Sequence, residues 1–426
     1  MPSQYRPRIA DRMLSDKLEG IGAVVIEGPK ACGKTTTAAQ QAKSTIFIDD
    51  PGNSGQYLQL ADTDPERLLE GDVPRLIDEW QLAPKLWDAI RHVVDRRDAD
   101  GQFILTGSAV PPDKSGIRHT GTGRFGWVRM RPMTLWESGE SNGSVSLGNL
   151  FSPSPSVSSA NSSTLDEVAY MICRGGWPRA ITKTSERAAL MQAEEYYDAV
   201  TRMDISRVDG VARDYINAGR LMRSYSRHQG SQASLSTIIA DMRGNEGGEM
   251  SDTTISSYLS ALRKIFVIED MPAWNPNLRS RTAIRTSDTR YFVDPSIAAA
   301  ALGLAPADLI RDLRTFGLLF ETMCVRDLRV YADALRGHVY HYRDKNGLEC
   351  DAVIHLRNGA YGLVEVKTGG DNLIEEGART LLKLSGLIDT ARQQPPAFLM
   401  VLTAVGPYAF RRRDGVFVVP ITCLKS

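Results

Sequence analysis

The run GPKACGKT, Gly28 to Thr35, constrains this chain more than any other segment. It matches GxxxxGK[ST], follows the apolar run GAVVIE directly, and leads into the helix-forming TTTAAQQAK. A strand that feeds a glycine-rich turn into a helix belongs to a parallel α/β sheet. Gly28 and Gly33 allow torsions that turn consecutive N–H groups inward around a phosphate. Lys34 would reach the β- and γ-phosphates, the Thr35 hydroxyl would coordinate magnesium, and the helix N-terminus adds its positive dipole end. Pro29, Lys30, Ala31, Cys32 and Thr36 complete the expected ATP contacts, with Cys32 read as filler and not as a nucleophile. The bland alternative is a plain glycine-rich turn between strand and helix.

An ATP-hydrolysing site also needs an acidic residue at the end of a neighbouring apolar strand, and VPRLIDEWQ (73–81) supplies two. Asp78 would hold the magnesium through water, and Glu79 would activate the attacking water. The next apolar run, FILTGS (103–108), ends in Thr106 and Ser108. These suit sensing of the γ-phosphate or positioning of the water, although Ser108 could equally cap the following turn. The basic stretch 114–131 contains no acidic residue and carries Lys114, Arg118, Arg124, Arg129 and Arg131. Arg124, just before a fifth candidate strand at 127–133, is a candidate arginine finger acting on a neighbouring subunit's nucleotide, alongside Lys34 and Glu79 as the catalytic set. The alternative for Arg124 is an ordinary surface charge.

Composition narrows the class. The 426 residues suggest about three domains. Lys plus Arg (51) equals Asp plus Glu (51), so nucleic-acid contact must come from local patches and not from a whole-protein field. The apolar stretch 397–405 is far short of the ~20 residues a membrane span needs. MPSQYRPRIADRML lacks the apolar core of a signal peptide. Cys32, Cys173, Cys324, Cys350 and Cys423 are scattered without a CxxC pair, which fits a reducing cytoplasm and argues against a structural zinc site.

Several segments together resemble a prokaryotic group of predicted AAA-superfamily ATPases with a C-terminal domain of unknown function. They are IEGPKACGKTTTA, RLIDEWQLAP, FILTGSA, GRFGWVRMRPMTLWE, GGWPRAI, YYDAVTRMDI, YFVDPSIAAAALG and GLLFETMCVRDL. The likeness spans nearly the whole chain and implies an AAA-type P-loop ATPase using ATP and Mg2+. Two departures are a long Ser/Gly-rich run at 138–163 and a small insertion, GNEGGEM, at 244–250.

Downstream, SLSTIIADM (234–242) and SDTTISSYLSALRKIFVIEDMPAW (251–274) suggest helix, turn, helix and a β wing. Ile255, Tyr258, Leu259 and Leu262 form its apolar stripe. Thr253, Thr254, Ser256 and Ser257 would form the exposed face, with Arg263 and Lys264 at its end and Arg279, Arg281 and Arg285 beyond. That face could enter a duplex groove, or the element could serve packing or protein contact. In the last segment, Glu321 lies on an expected helix, Asp351 opens one strand, and Glu365 and Lys367 share a face of the next. This Asp…Glu-x-Lys arrangement resembles the core of restriction-endonuclease-like nucleases, which implies two metal-binding carboxylates, an upstream third in Glu321, and a lysine that activates water. Ordinary exposed charges on a ribbon are the alternative. Joint metal binding requires a three-residue loop, Arg357 to Gly359, which pairs Leu356 with Ala360 and sets Asp351 opposite Glu365.

The expected architecture is therefore α/β: a P-loop AAA-type parallel sheet (1–137), a Ser/Gly-rich linker (138–163), a helical region (164–230), a winged-helix-like domain (231–289) and a restriction-endonuclease-like α/β domain (290–426). Expected partners are DNA, a protein, or further copies of the chain, with no membrane.

Overall fold

The computed structural model describes residues 5–109, 120–247, 250–276 and 286–426. Lys114, Arg118, Arg279, Arg281 and Arg285 lie outside these. The chain divides into two compact units. One comprises Met1–Pro132, Val200–Asp214 and Ser257–Val267, and the other comprises Met133–Ala199, Tyr215–Ser256 and Ile268–Ser426.

The first unit is built on β1 (Ala23–Glu27), β2 (Ser44–Phe47), β3 (Arg75–Asp78), β4 (Phe103–Gly107) and β5 (Phe125–Arg129). They form one sheet in the order β2-β3-β4-β1-β5, and every pairing is parallel. Alternation along each strand feeds two cores. Ala23, Val25, Ile77, Phe103 and Leu105 pack on one face with Trp87 and Ile90 of the Leu86–Arg97 helix. Val24, Ile26, Leu76, Ile104 and Val128 pack on the other with Leu14 and Ala38. Burial on both faces explains why these strands are near-continuous apolar runs. The fifth strand starts two residues earlier than the sequence suggests, because Phe125 stacks on Trp87 with ring centroids 3.7 Å apart.

The second unit carries helices Leu165–Arg174, Glu186–Ala199, Tyr215–Arg227, Leu235–Asp241 and Leu313–Ala334. Its strands are β6 (Val145–Ser146), β7 (Ser159–Ala160), β8 (Gly337–Arg343), β9 (Glu349–Leu356), β10 (Tyr361–Lys367), β11 (Phe398–Thr403), β12 (Tyr408–Arg411), β13 (Phe417–Pro420) and β14 (Leu424–Lys425). Seven of them form a mixed sheet ordered β7-β12-β13-β11-β10-β9-β8, while β14 pairs with β6. The Asp371–Leu387 helix closes one face of that sheet through Ala378, Leu381 and Leu384, which pack with Val353, Leu363 and Val401.

Two expectations need correction. The 138–163 run is not a free linker, since it supplies β6, β7 and the Leu147–Leu150 helix. It buries Val145, Leu147 and Leu150, and its polar side chains add hydrogen bonds. Ser141 Oγ donates to Leu424 O at 2.7 Å, and Asn161 Nδ2 donates to Gly406 O at 2.8 Å. The proposed 231–289 domain is not a separate body either, because the division between units runs through the Asp252–Lys264 helix, between Ser256 and Ser257. Ile255, Tyr258, Leu259 and Leu262 are buried as their spacing requires. After that helix, Met271 and Thr289 exchange backbone hydrogen bonds (2.8 and 2.9 Å), and Ile268 bridges Phe292, giving an antiparallel ribbon.

Candidate functional site

The phosphate loop joins β1 to the Lys34–Ala39 helix at the C-terminal edge of the first sheet. Gly28 is required by close approach: a Cβ there would meet Met130 O at 2.1 Å. Gly33 takes φ +101° and Ala31 φ +60°, so the loop holds left-handed torsions at a non-glycine residue. Lys34 is buried and donates from Nζ to Gly28 O (2.9 Å) and Pro29 O (2.8 Å), which aims its ammonium into the loop. Thr36 is exposed, whereas Cys32 is fully buried, in keeping with a filler role.

β4 separates β1 from β3, and its register brings Thr106 beside both Ile26 and Asp78. Across this junction Thr35 Oγ1 donates to Asp78 Oδ1 at 2.9 Å, and the Thr106 hydroxyl also bonds that carboxylate oxygen. The donor set suits magnesium: a hydroxyl on the loop and a carboxylate one bond further out, both hard oxygen ligands. These residues fit the nucleotide and metal expected of them.

Glu79 follows β3 in the left-handed region, at φ +54°. That torsion turns its carboxylate toward the end of β4, where Ser108 Oγ donates to Oε1 (3.3 Å) and Oε2 (3.2 Å). Gln81 Nε2 is also bonded to it. Ser108 thus acts on the glutamate and is not simply a turn cap. Burial raises the Glu79 pKa above the usual carboxylate value, the hydrogen bond from Gln81 opposes it, and the charge of Asp78 adds to the rise.

Arg124 is not brought to this edge. Its carbonyl accepts from Ala23 N, at the start of β1, so it sits at the opposite end of the parallel sheet from Gly28. Five strand residues separate the two ends by roughly 16 Å. Arg124 Nε pairs with Asp95 Oδ1 at 2.7 Å on the exposed surface, away from the nucleotide loop of its own chain, the position a finger acting on a neighbouring subunit would also have. Sequence reasoning missed Arg8, whose guanidinium donates to Cys32 O and Arg131 O, both at 2.8 Å, and ties the loop to the segment after β5. It also missed Gln81. Neither stands in a recognisable motif, and the only available signal for Gln81 was its closeness to Glu79.

On the face described as hydroxylic in the Asp252–Lys264 helix, Thr253 and Thr254 share hydrogen bonds with Ser251, and Ser257 and Lys264 are engaged by the 209–213 segment. Arg213 Nη2 donates to Ser257 Oγ at 3.0 Å, and Lys264 Nζ lies 3.4 Å from Asp209. Thr253, Ser256 and Arg263 are exposed.

In the second unit, β9 and β10 have the odd-length loop. Leu356 N donates to Ala360 O, Gly359 takes φ +87°, and the ladder pairs Val353 with Leu363 and Ala352 with Val364. The next pair in this register is Asp351 with Glu365, on the face opposite to Ala352 and Val364. Lys367 Nζ lies 2.9 Å from Glu365 Oε2, Asp351 Oδ2 accepts from Val366 N at 2.7 Å, and Tyr291 OH donates to Glu321. Burial, followed by the charge of Asp351, pushes Glu365 up to about 8. Burial likewise raises Glu321 and Asp351, while the surrounding carboxylates raise Lys367 against the effect of its own burial. The four residues are therefore electrostatic neighbours. Among the described residues, however, no three His, Cys, Asp or Glu side chains converge as an ion-holding group. Glu365 Oε1 is buried without a hydrogen-bond partner.

Comparison with known proteins agrees with the first unit's geometry. Residues 21–138 match the model of an AAA domain, in keeping with their parallel sheet and phosphate loop. Residues 165–308 and 316–424 match two domains of unknown function, DUF8612 and DUF4143. Two curated relatives are uncharacterized proteins, Mb2031c of Mycobacterium bovis and Rv2008c of Mycobacterium tuberculosis. Each is 24% identical over 416 residues, covering 97% of this chain and 83% of its own length. Among solved structures, a Walker-type ATPase of Pyrococcus abyssi aligns with a TM-score of 0.44 and 14% identity, over 70% of this chain and 97% of its own. Among the described residues no helix is long and apolar enough to cross a membrane.

Proposed function

We propose that the chain binds ATP with Mg2+ in the Gly28–Thr36 loop, hydrolyses it, and uses turnover to rearrange a winged-helix-like and nuclease-like half that acts on DNA or a protein partner in the cytoplasm. The observation that carries this reading is the contact of Thr35 with Asp78, beside a glutamate whose carboxylate is held by Ser108 and Gln81. Lys34 binds phosphate oxygens, and Glu79 takes the proton of the attacking water, oriented by Ser108. Magnesium would neutralise charge developing on the β- and γ-oxygens. The raised pKa of Glu79 makes it a better proton acceptor than an exposed carboxylate. The test is ATP turnover by wild type and Glu79→Gln, with and without DNA and RNA. Stimulation by one nucleic acid supports the DNA arm, and turnover unaffected by either points to a protein partner.

A second reading concerns the C-terminal half. The engagement of Glu365 by Lys367, of Asp351 by a backbone N–H and of Glu321 by Tyr291 favours a nuclease-like fold used for binding. No cleavage step is derived from it. Metal-dependent DNA cleavage abolished by Asp351→Ala would refute this, and its loss in Lys34→Ala as well would make it a nuclease licensed by ATP.

A further inference from the structure

The phosphate loop carries a second lysine, and it is anchored quite differently from Lys34. Lys30 Nζ lies 2.6 Å from Asp204 Oδ1, within the same compact unit. The Lys30 side chain is 48% exposed and that of Asp204 only 11%, so the lysine can swing on its flexible stem while the carboxylate is fixed.

Asp204 has an unusual setting. It is the last residue of a π turn, Val200–Asp204, set between the Glu186–Ala199 and Ile205–Arg207 helical stretches. Such wide turns are rare and recur at functional sites. This one begins where the chain passes from one compact unit to the other, between Ala199 and Val200. Farther along the same segment, Arg213 donates to Asp209 and Ile205 O, both at 2.7 Å, and to Ser257 Oγ at 3.0 Å. Arg213 thus ties the segment at both Ile205 and Asp209, and Asp204, next to Ile205, meets the phosphate loop through Lys30.

We propose that Asp204 is a positioning residue for the phosphate site: it competes with a bound polyphosphate for Lys30, so that polyphosphate binding frees the π turn from the loop. This rests on the ATP-binding reading above. A polyphosphate carries several negative charges where Asp204 offers one, and at similar distances the larger charge wins the ammonium. Residues 200–204 would then report occupancy of the loop.

The test uses the full chain and magnesium-ATP, with affinity read by calorimetry. Asp204→Asn should tighten binding by about 1.5-fold to fivefold, the range expected from releasing a partly exposed ion pair. Lys30→Met should weaken it, and Asp204→Asn placed on Lys30→Met should change nothing further. A tightening that persists without Lys30 would make Asp204 a mere repelling charge and overturn the competition. Amide exchange over residues 200–207 should quicken on adding magnesium-ATP to wild type and stay unchanged in Lys30→Met. Unchanged exchange in wild type would also overturn it. Should Asp204→Asn fail to fold, the Lys30→Met arm and the exchange measurement decide alone. Normal wild-type binding lost in Lys34→Ala, with no effect of Asp204→Asn, sinks this inference only. A wild type that binds no nucleotide sinks the ATP reading and this inference with it.

Discussion

Replacing Glu79 with glutamine separates binding from chemistry at the phosphate site. The substitution keeps side-chain volume, and glutamine tolerates the φ of +54° about as well as glutamate does, so the turn after β3 should survive. Ser108 keeps an oxygen to donate to, whereas the new amide would face the Gln81 amide and force that side chain to flip. What is lost is the proton acceptor. A positioned general base contributes about 10²–10⁴ in rate, or roughly 3–5 kcal/mol of barrier. Burial and the neighbouring Asp78 both raise the Glu79 pKa, which places the loss toward the upper half of that range. Lys34→Ala acts on the ground state instead. It removes charge-assisted hydrogen bonds worth about 1.5–3 kcal/mol each, so ATP affinity should fall about tenfold or more. Single-turnover hydrolysis read beside equilibrium ATP binding distinguishes the two. The acid limb of kcat should also lie above the ordinary carboxylate range in wild type and vanish in Glu79→Gln. Equal loss of ATP affinity in both variants, or turnover by Glu79→Gln within threefold of wild type, would refute these roles.

Other outcomes follow from single residues. Arg124→Ala should change turnover less than about twofold and cost ~0.2–1 kcal/mol on denaturation, the value of an exposed pair; mixing it with Glu79→Gln should restore no activity, and clear recovery would make Arg124 a finger acting on a neighbouring copy. Glu365 sits at about 8 against an ordinary 4.5, so the folded chain holds a proton that the unfolded chain releases, and stability falls as pH rises through that window. Glu365→Gln should flatten that fall, on the order of a few kcal/mol between pH 5 and 8, when denaturation midpoints are compared; an unchanged slope would reassign the proton. Gly359→Ala meets no atom within 4 Å but must keep φ +87°, so it should destabilise by about 1–2 kcal/mol, and a neutral result would mean the loop adopts another turn.

Much of the first unit was legible because its signals are local. A glycine-rich turn between strand and helix, followed by apolar runs ending in Asp78 and Thr106, encodes its own contacts through parallel pairing. The hairpin of the second unit was legible for a similar reason: period-two alternation and a left-handed Gly359 determine the register between them. The Ser/Asn-rich 138–163 run was misjudged because average composition hides its few apolar residues, Val145, Leu147 and Leu150, which are buried, while Ser141 and Asn161 bond to carbonyls more than 240 residues away in sequence. Nothing local announces such partners. The same holds for Arg8 and Asp204, which act on the phosphate loop from distant segments.

Arg124 and Arg129 stand close together in one basic stretch, yet a five-residue strand carries its two ends to opposite edges of a sheet. In an all-parallel sheet every C-terminal strand end gathers at one edge, and that is where the loop after β1, Asp78 after β3 and Thr106 on β4 meet. Register puts Phe125 level with Ala23 and Arg129 level with Glu27, the residue before Gly28. Arg129 therefore shares the edge of the phosphate loop, where its guanidinium lies 4.3 Å from the Phe266 ring centroid, and Arg124 faces away with Asp95. Had the start of β5 been placed at Phe125, strand polarity alone would have assigned these two arginines to their proper ends.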